Sequence, residues 1–434
     1  MEMKFNFEKK NSLRPASARS RAYFPRAWSV LAAVFLFVSL FSDSSAHARI
    51  RKCPFRVRKA HYAKEQAAAT PAPAPAPGLI VAGAGDIILH GRVHFSAAQR
   101  SRGEENNQGY DELFPGVAAA LSGVDLGIAN LEFPILRKHK PPRPFIFSGD
   151  PPALRAAMRA GLTAFTAANN HSYDQGPRSP AITARHCAQQ QAVCLGVGED
   201  REQAETPYFF EKNGIKLAVV GYTLVANDDL NRERKGAPRV NGYGFENLLG
   251  QVKAAAEKSD CVVVAVHWGE EYREQPLPSQ RQQAQELVDA GACLILGHHP
   301  HVLEPVEEIR TASGRRALIA YSLGNFVSNQ ERGRPEHQNR IGAIVKVELA
   351  RGAAGVEPAA WKALPVWTRN QTDYLGSRSI ERLEVVDLPA ALREVEARLA
   401  TAPGDERNRL EREAAFYQDR IEQAERMLEV KSEK

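Results

Sequence analysis

The chain has 434 residues, of which 43% are hydrophobic and 25% charged, so it has an ordinary globular composition and can bury a large core. Its formal net charge of +6 is concentrated at the N-terminus, because residues 1–48 carry seven Lys and Arg against three Asp and Glu. The remaining residues carry 50 basic and 48 acidic side chains. A balance so close to neutral gives no indication of nucleic acid as a partner.

Residues 1–48 have the pattern of a signal peptide or an N-terminal anchor. A basic leader precedes the uncharged run 27–41, and Ala46-His47-Ala48 offers a cleavage site with small residues on either side of its centre. The run has 15 residues, whereas a spanning helix needs about 20, so cleavage is favoured over a permanent anchor at 27–41. Under either alternative, the rest of the chain is predicted to be extracytoplasmic, in the periplasm or secreted.

Residues 49–77 are predicted to be a basic and Pro-Ala linker. Six Lys and Arg lie between Arg49 and Lys59, and the Pro-Ala repeat at 71–77 favours an extended, semi-rigid spacer that ends near Gly78. The basic patch either contacts anionic lipid headgroups or an anionic polymer, or is a solvated segment.

Between residues 78 and 385, short apolar runs alternate with amphipathic stretches, which predicts an α/β domain. The predicted strands are 79–84, 124–130, 164–168, 193–197, 216–222, 261–266, 293–296, 317–322 and 343–349. The predicted helices are 152–160, 177–190, 245–258 and 279–290. Turn signals at Asn213-Gly214 and Ser313-Gly314 predict hairpins among the parallel crossovers. This combination is typical of a mixed sheet, or of two packed sheets flanked by helices.

The tail, residues 386–434, is predicted to be a charged pair of helices joined by a turn at 402–405. Apolar residues recur every three or four positions in the second helix, which is enough for one packing stripe. Such a stripe usually packs on its own domain and less often on a partner. Its members are Leu410, Ala414, Tyr417, Ile421, Ala424 and Leu428.

The five cysteines do not make a disulfide framework in a chain of this size. Cys261 and Cys293 begin apolar runs and are expected to be buried thiols. Cys187 and Cys194 could form a disulfide in an oxidising compartment, but the sequence does not give their Cα separation, so the bridged and unbridged alternatives stay open.

Polar residues follow the apolar runs at the point where each predicted strand ends. Two runs end in His267 and in Gly297-His298-His299-Pro300-His301, and the proline of the second motif puts its histidines in a loop. Three others end in Asp86, in the segment 130–132 and in Asn169-Asn170-His171. Since sites in open α/β sheets form at the carboxyl ends of strands, these side chains can converge on one crevice. Taken singly, each of these residues could also be part of a turn, a helix cap, or a polar side chain that is hydrogen-bonded within the protein.

Imidazole and oxygen donors together suit a divalent ion, with Mn, Zn or Fe expected. A carboxylate that bridges two ions would hold them about 3.5–4 Å apart, the spacing used for in-line displacement at phosphorus. Whether one ion or two bind is left open.

Six ordered motifs resemble those of the bacterial capsule-synthesis proteins of the CapA or poly-γ-glutamate type, which are relatives of the calcineurin-like metallophosphoesterases. They cover about residues 79–350 and are the segments Ala84–Leu89, Ala129–Glu132, Ala168–His171, Val266–Glu271, Gly297–Val302 and Tyr321–Phe326. The resemblance implies a four-layer αββα sandwich of two mixed sheets flanked by helices.

The resemblance also implies roles for individual residues. A first metal ion would be held by Asp86 and His301. A second would be surrounded by Asn170, His267 and His299, with the bridging carboxylate supplied by Glu132. The general acid that protonates the leaving oxygen would be His171. The candidate substrate contacts are Asn130, Asn169, Asn325 and Glu271.

One position departs from the metallophosphoesterase pattern. The His that usually follows the first Asp by two residues is Ile88 here, and the bridging Asp is replaced by Glu132. His90 or His94 could compensate for the missing imidazole. The departure is compatible with one metal instead of two, with a different metal, or with lost catalysis.

Two functions follow as hypotheses. The first is a metal-dependent hydrolase that cleaves a phosphoester or related bond in an anionic envelope polymer or its precursor. The second is a non-catalytic part of a membrane synthase or export complex, in which a basic loop holds polyanionic chains. The basic residues of that loop are Arg137, Lys138, Lys140 and Arg143.

Overall fold

Two mixed β-sheets form the centre of the molecule in a computed structural model, which describes residues 78–141, 143–227, 239–330, 338–370 and 382–429. The predicted leader and linker, residues 1–77, lie outside the described residues. Within the described ranges, no helix combines the length and the apolar character needed to cross a lipid bilayer.

The strands are β1 (Leu79–Ile87), β2 (Leu126–Leu131), β3 (Ala164–Thr166), β4 (Val193–Leu195), β5 (Tyr208–Lys212), β6 (Ile215–Thr223), β7 (Cys261–His267), β8 (Ala292–His298), β9 (Val306–Arg310), β10 (Arg316–Ala320), β11 (Asn325–Val327), β12 (Ile341–Gly352), β13 (Gly355–Asn370) and β14 (Leu383–Asp387). The helices are α1 (Gly91–Gln99), α2 (Ala118–Leu121), α3 (Pro151–Arg159), α4 (Ser179–Gln189), α5 (Arg201–Glu205), α6 (Phe245–Ala256), α7 (Pro278–Asp289), α8 (Leu388–Leu399) and α9 (Gly404–Leu428). Short 3-10 helices cover Asn107–Leu113, Pro115–Val117 and Gln338–Arg340.

The first sheet has eight strands in the order β14-β13-β12-β1-β2-β3-β4, with β11 paired to β1 beside this path. The strands β1 to β4 are parallel to one another, whereas β12, β13 and β14 are joined to the sheet antiparallel. Because β1 and β2 run in the same direction, their carboxyl ends meet at one edge. There Asp86 is in register with Asn130 on β2 and with Asn325 on β11.

The second sheet has six strands in the order β5-β6-β7-β8-β10-β9. Its four central strands are parallel, and each end is closed by an antiparallel pair. Both predicted hairpins are confirmed, at Asn213-Gly214 and at Ser313-Gly314. In the first turn both residues have positive φ, 52° and 71°, which is the conformation that an Asn-Gly pair adopts readily.

Strand residues alternate between an inner and an outer core, as the two-residue period of a strand requires. Leu79 and Val81 of β1 lie in the core between the sheets with Leu217 of β6. Ala82 of β1 lies in an outer core with α1 and α3, and Val220 of β6 lies in a second outer core with α6 and α7. The predicted four-layer sandwich of two mixed sheets flanked by helices is thereby confirmed.

The two tail helices extend the inner core. Leu410, Tyr417 and Ala424 of α9 are fully buried in the cluster that lies between the sheets. The hydroxyl of Tyr417 also accepts a hydrogen bond from Arg369 on β13, at 3.0 Å. The predicted stripe therefore packs on the chain's own domain.

Three strands, β11, β13 and β14, were not predicted from the sequence. β13 contains Pro358 and Pro365, and proline in a run argues against a strand because it cannot donate to a ladder. Pro358 pairs with Leu349 where the register with β12 shifts, so the irregularity accommodates it. β14 is a five-residue strand that pairs with β13 and lies at the end of the strand order among the described residues.

The four cysteines of the described domain form two disulfides. Cys187 and Cys194 are bridged with their Cα atoms 6.0 Å apart, which closes the alternative left open by the sequence. Cys261 and Cys293 are also bridged, at 5.9 Å, so the prediction of two buried thiols was wrong. The reason is that β7 and β8 are neighbouring parallel strands, and Cys261 begins β7 while Cys293 is the second residue of β8, where the register between the two strands shifts.

Candidate metal centre

The centre is built around Asp86, at the end of β1, whose side chain is completely buried. The chain approaches it closely, since a Cβ on Gly85 would lie 2.1 Å from the carbonyl oxygen of Gly324. The backbone N–H of Asp86 donates to that same oxygen at 2.9 Å. Glycine at position 85 thus lets the segment before β11 pack against β1 and fixes the carboxylate.

Two asparagine amides hold the carboxylates of the centre in place. Asn130 donates from Nδ2 to Oδ1 of Asp86 at 2.8 Å and to Oε2 of Glu132 at 3.2 Å. Its own Oδ1 accepts from Nδ2 of Asn169 at 3.0 Å, and Asn169 also donates to the carbonyl of Leu131. Both asparagines are buried and bonded within the protein. Their predicted substrate contact stays a prediction, but their positioning role is visible.

The histidine motif folds back onto the same carboxylates. His299 and His301 have positive φ values of 101° and 59°, which are uncommon for residues with a side chain and are typical of functional turns. Nδ1 of His301 lies 3.2 Å from Oδ2 of Asp86, and its Nε2 lies 3.4 Å from Oε1 of Glu132. His298 donates from Nδ1 to Oδ1 of Asp86 at 3.1 Å. His298 was not predicted to be a site residue, although it belongs to the same motif as His299 and His301.

A second group of ligands comes from the second sheet and from the loop after β3. His267, the last residue of β7, donates from Nε2 to Oδ1 of Asn170 at 2.9 Å. The ring of His267 lies 4.7 Å from that of His299. The predicted members of the second metal group are therefore neighbours in space.

His171 lies at the mouth of the centre. Its Nδ1 donates to Oδ2 of Asp174 at 2.9 Å, and its Nε2 lies 3.8 Å from Oε1 of Glu132. The ring packs on Phe147 with 4.6 Å between centroids, and the backbone N–H of Phe147 donates to the same Asp174 oxygen. Asp174 thus orients the imidazole, and Nε2 is the nitrogen turned to the carboxylates.

The donor atoms fit a divalent cation. One donor atom each of Asp86, Glu132 and His301 lies within 4.8 Å of the others, and the same holds for Glu271, His299 and His301. Three of the donor atoms are buried and have no hydrogen bond to any described residue, namely Oε1 of Glu132, Nδ1 of His267 and Nδ1 of His299. Leaving a buried polar atom unsatisfied costs about 1–3 kcal/mol, which coordination to a cation would offset.

Burial and neighbouring charges shift the pKa values of the centre in different directions, and a metal ion bound to His301 would have to displace the proton that the raised pKa keeps on the ring. Burial alone would raise the pKa of Asp86, but hydrogen bonds with neighbouring histidines hold it well below its ordinary value. Burial raises the pKa of Glu132 well above its ordinary value. Burial lowers the pKa of His301, but the charges of Glu132 and Asp86 outweigh this and raise it to about 10. Burial also lowers the pKa values of His267 and of His299, the latter to about 3, so both stay neutral as ligands require.

The imidazole that Ile88 cannot supply is not replaced by either of the two nearby histidines. Ile88 is 2% exposed and has no donor. His94 is occupied, since its ring nitrogens contact the hydroxyl of Tyr110 at 2.6 Å and the carbonyl of Ser148 at 3.0 Å. His90 packs edge-on against Phe147 and is in neither group of converging donors.

The centre opens into a cleft of about 550 Å³. Its lining includes the acid candidate His171, basic residues and aromatic rings. Lys140 and Arg143 of the predicted basic loop line this cleft, whereas Arg137 and Lys138 line a separate pocket of about 740 Å³. Asn325 is buried, and its Oδ1 lies 3.2 Å from Nδ1 of His301.

Side chains from the carboxyl ends of strands in two facing sheets thus meet at one cleft, which defines a four-layer α/β sandwich with a histidine–carboxylate centre. The family described as "Bacterial capsule synthesis protein PGA_cap" matches residues 80–330, more than half of the chain. The chain belongs to this family, as its six motifs predicted.

Two curated relatives are similar to part of the chain. "Capsule biosynthesis protein CapA" of Bacillus anthracis is 33% identical over 236 residues, covering 52% of this chain and 56% of that protein. "PGA biosynthesis protein CapA" of Bacillus subtilis is 31% identical over 252 residues, covering 57% of this chain and 64% of that protein. The chain therefore spans less than two thirds of the length of either relative.

Solved structures similar to the chain include phosphatases. A "novel phosphatase" from Mycoplasma pneumoniae has 14% identity and a TM-score of 0.41, covering 66% of this chain and 93% of that one. A calcineurin-like phosphoesterase from Bacillus subtilis has 11% identity and a TM-score of 0.35, covering 81% and 100%. The fold described above rests on the strand order and layers of the chain itself.

Proposed function

We propose that the protein is an extracytoplasmic, metal-dependent hydrolase of capsule or poly-γ-glutamate-type polymer biosynthesis. Its substrate would be a phosphoester or related bond in an anionic envelope polymer or its precursor. The observation that carries the proposal is the position of His171, which lines the cleft, is held by Asp174 and turns Nε2 toward Glu132. A proton donor therefore stands next to the cluster of metal-ligating groups.

The residues of the centre have distinct roles in the proposed reaction. A bound Mn, Zn or Fe dication would supply Lewis acidity to the scissile group and to the attacking water. Asn130 and Asn169 keep the carboxylates in position through their amides. His171 donates a proton from Nε2 to the leaving oxygen, while Asp174 stabilises the charged ring at Nδ1. The residues that would hold metal are Asp86, Glu132, Asn170, His267, His299 and His301.

The test compares two model diesters on wild type and His171→Ala. Bis-p-nitrophenyl phosphate has a leaving group that departs without protonation, whereas methyl phenyl phosphate has a more basic one. If His171 is the general acid, its removal should slow the phenyl substrate by about 10²–10⁴ and the nitrophenyl substrate less. Bound metal is measured in the same samples by elemental analysis. His186→Ala on α4 is the control, since that ring contacts Gln189 and is not among the residues that line the cleft.

Two results would contradict the hydrolase. One is a wild-type protein that lacks bound transition metal after purification without chelators. The other is a wild-type protein that hydrolyses neither diester. Equal rates for His171→Ala and wild type on both diesters would instead remove His171 from the mechanism. Equal slowing of both substrates would assign His171 a role other than proton donation.

A second candidate function is supported by the rim of the cleft. Lys140, Arg143 and Phe145 are exposed there, and two cations beside an aromatic ring can hold a polyanion. In this reading the protein is a polymer-binding part of a membrane synthase or export complex. Lys140→Glu with Arg143→Glu should weaken binding of poly-γ-glutamate, and the loss should be larger at low salt. Unchanged binding would remove this candidate.

The extracytoplasmic location is supported by the two disulfides, because such bonds persist in oxidising compartments. The full chain, expressed in a bacterial host, should be found outside the cytoplasm. Intact mass analysis distinguishes the alternatives at the N-terminus, since cleavage would leave a mature chain that begins at Arg49. Recovery of the uncleaved chain from the cytoplasmic fraction alone would contradict the location.

A further inference from the structure

We propose that Glu271 is a metal ligand of the centre, and that it supplies from the second sheet the donor that Ile88 does not provide. The inference rests on the proposed function, because it assumes a metal-binding centre. It reassigns a residue that the sequence predicts to be a substrate contact.

The donor atoms of Glu271 and of two ligand histidines lie close together. One carboxylate oxygen of Glu271 and one ring nitrogen each of His299 and His301 lie within 4.8 Å of one another. Donors about 2.1 Å from a common tetrahedral ion lie about 3.4 Å apart, so small side-chain adjustments bring all three into coordination range. His301 also belongs to the group with Asp86 and Glu132, so Glu271 adds a carboxylate to the same centre.

The loop that carries Glu271 is held against the histidine turn by the backbone. The loop after β7 turns at Gly269 and at Tyr272, which have φ values of 85° and 63°. The backbone N–H of Tyr272 donates at 2.7 Å to the carbonyl of Pro300, the residue between the two histidines. The loop carrying Glu271 is therefore bonded directly to the turn that carries His299 and His301.

Glu271 differs from the neighbouring Glu270 in its ion pairing. Glu270 is paired with Arg273 at 3.3 Å. In the described part of the chain, Glu271 forms no ion pair with Lys or Arg, and Nδ1 of His299, which is 5% exposed, has no hydrogen bond. Glu271 is exposed at the cleft, so a cation held by its carboxylate would give the buried Nδ1 of His299 the partner that it lacks.

The experiment compares Glu271→Gln with Glu270→Gln, which makes the same chemical change one residue away. Mn²⁺ binding is measured by calorimetry and by elemental analysis after gel filtration of the full chain. Glu271→Gln should bind Mn²⁺ at least about tenfold more weakly, or lose one equivalent, whereas Glu270→Gln should match wild type. Both variants should melt like wild type in EDTA, and Glu271→Gln should lose most of the stabilisation that Mn²⁺ gives wild type.

The outcomes separate this inference from the proposed function. Unchanged Mn²⁺ binding by Glu271→Gln together with a raised KM would overturn the ligand role and make the residue a substrate contact. A wild type that binds Mn²⁺ without hydrolysing diesters would contradict the hydrolase, while the loss of Mn²⁺ from Glu271→Gln alone would still support the ligand role. A wild type that binds no metal would overturn both.

Discussion

Glu304 is a buried carboxyl group that lies outside both groups of converging donors found among the described residues, and its ionisation tests how burial affects stability. It lies between the histidine turn and β9, its side chain is fully buried, and among the described residues neither oxygen has a hydrogen bond. Burial raises its pKa from 4.5 to about 8, although the nearby Gln280, Arg273 and Arg281 oppose the rise. The folded state therefore favours the protonated, neutral form.

The sign of the pH effect follows from this shift. Because the folded-state pKa lies above the unfolded value, the contribution of Glu304 to stability is largest below about pH 4.5 and is lost as the pH rises to about 8. One pKa unit corresponds to about 1.4 kcal/mol, so the loss between pH 5 and pH 8 amounts to about 3 kcal/mol. Glu304→Gln keeps the shape of the side chain and cannot ionise, so it should not show this loss.

The assay is thermal unfolding at pH 5 and pH 8, monitored by circular dichroism. The Tm difference between Glu304→Gln and wild type should rise by about 5 °C over this range, in favour of the variant. Since both proteins share the metal centre, its own titration cancels in the difference. Glu211→Gln, an exposed carboxylate on β5, should show no such change. A difference that is constant with pH would refute the burial argument.

Three further predictions concern the centre and the framework. Gly85→Ala should cost at least about 2 kcal/mol, because the new Cβ would lie 2.1 Å from the carbonyl oxygen of Gly324, and an unchanged Tm would contradict this. Reduction of Cys261–Cys293, which are 32 residues apart, should cost about 3–4 kcal/mol in the melting curve, and non-reducing peptide mapping checks the pairing. Asp86→Asn should lower bound transition metal severalfold in elemental analysis, since an amide offers one acceptor where the carboxylate meets several donors. Wild-type metal content in this variant would remove Asp86 from the centre.

Much of the centre could be predicted from the sequence because a strand has a simple period and a definite end. Asp86, Glu132 and His267 each follow or end an apolar run, and parallel strands bring such ends to one edge of a sheet. The two hairpins were equally predictable, since Asn-Gly and Ser-Gly pairs favour tight turns at their own positions. These features depend on residues close together in the chain.

Other features depend on which elements become neighbours. β13 was not predicted because it contains prolines, which argue against a strand. Only the register shift opposite β12 shows how one of these prolines is accommodated. The Cys261–Cys293 bridge requires β7 and β8 to be adjacent. This adjacency cannot be read from the sequence of either strand. The contact of His298 with Asp86 joins residues 212 positions apart.

The sequence by itself determined the α/β class, the hairpins, the family and the donor types at the strand ends, because local propensity, side-chain period and motif identity belong to short segments. Only the tertiary structure decided that Cys261 and Cys293 are bridged, that Asn130 and Asn169 hold the carboxylates, and that Glu271 lies close to His299 and His301. The physical reason is that these contacts depend on packing between distant segments, where burial of apolar faces fixes distances that the order of residues leaves free.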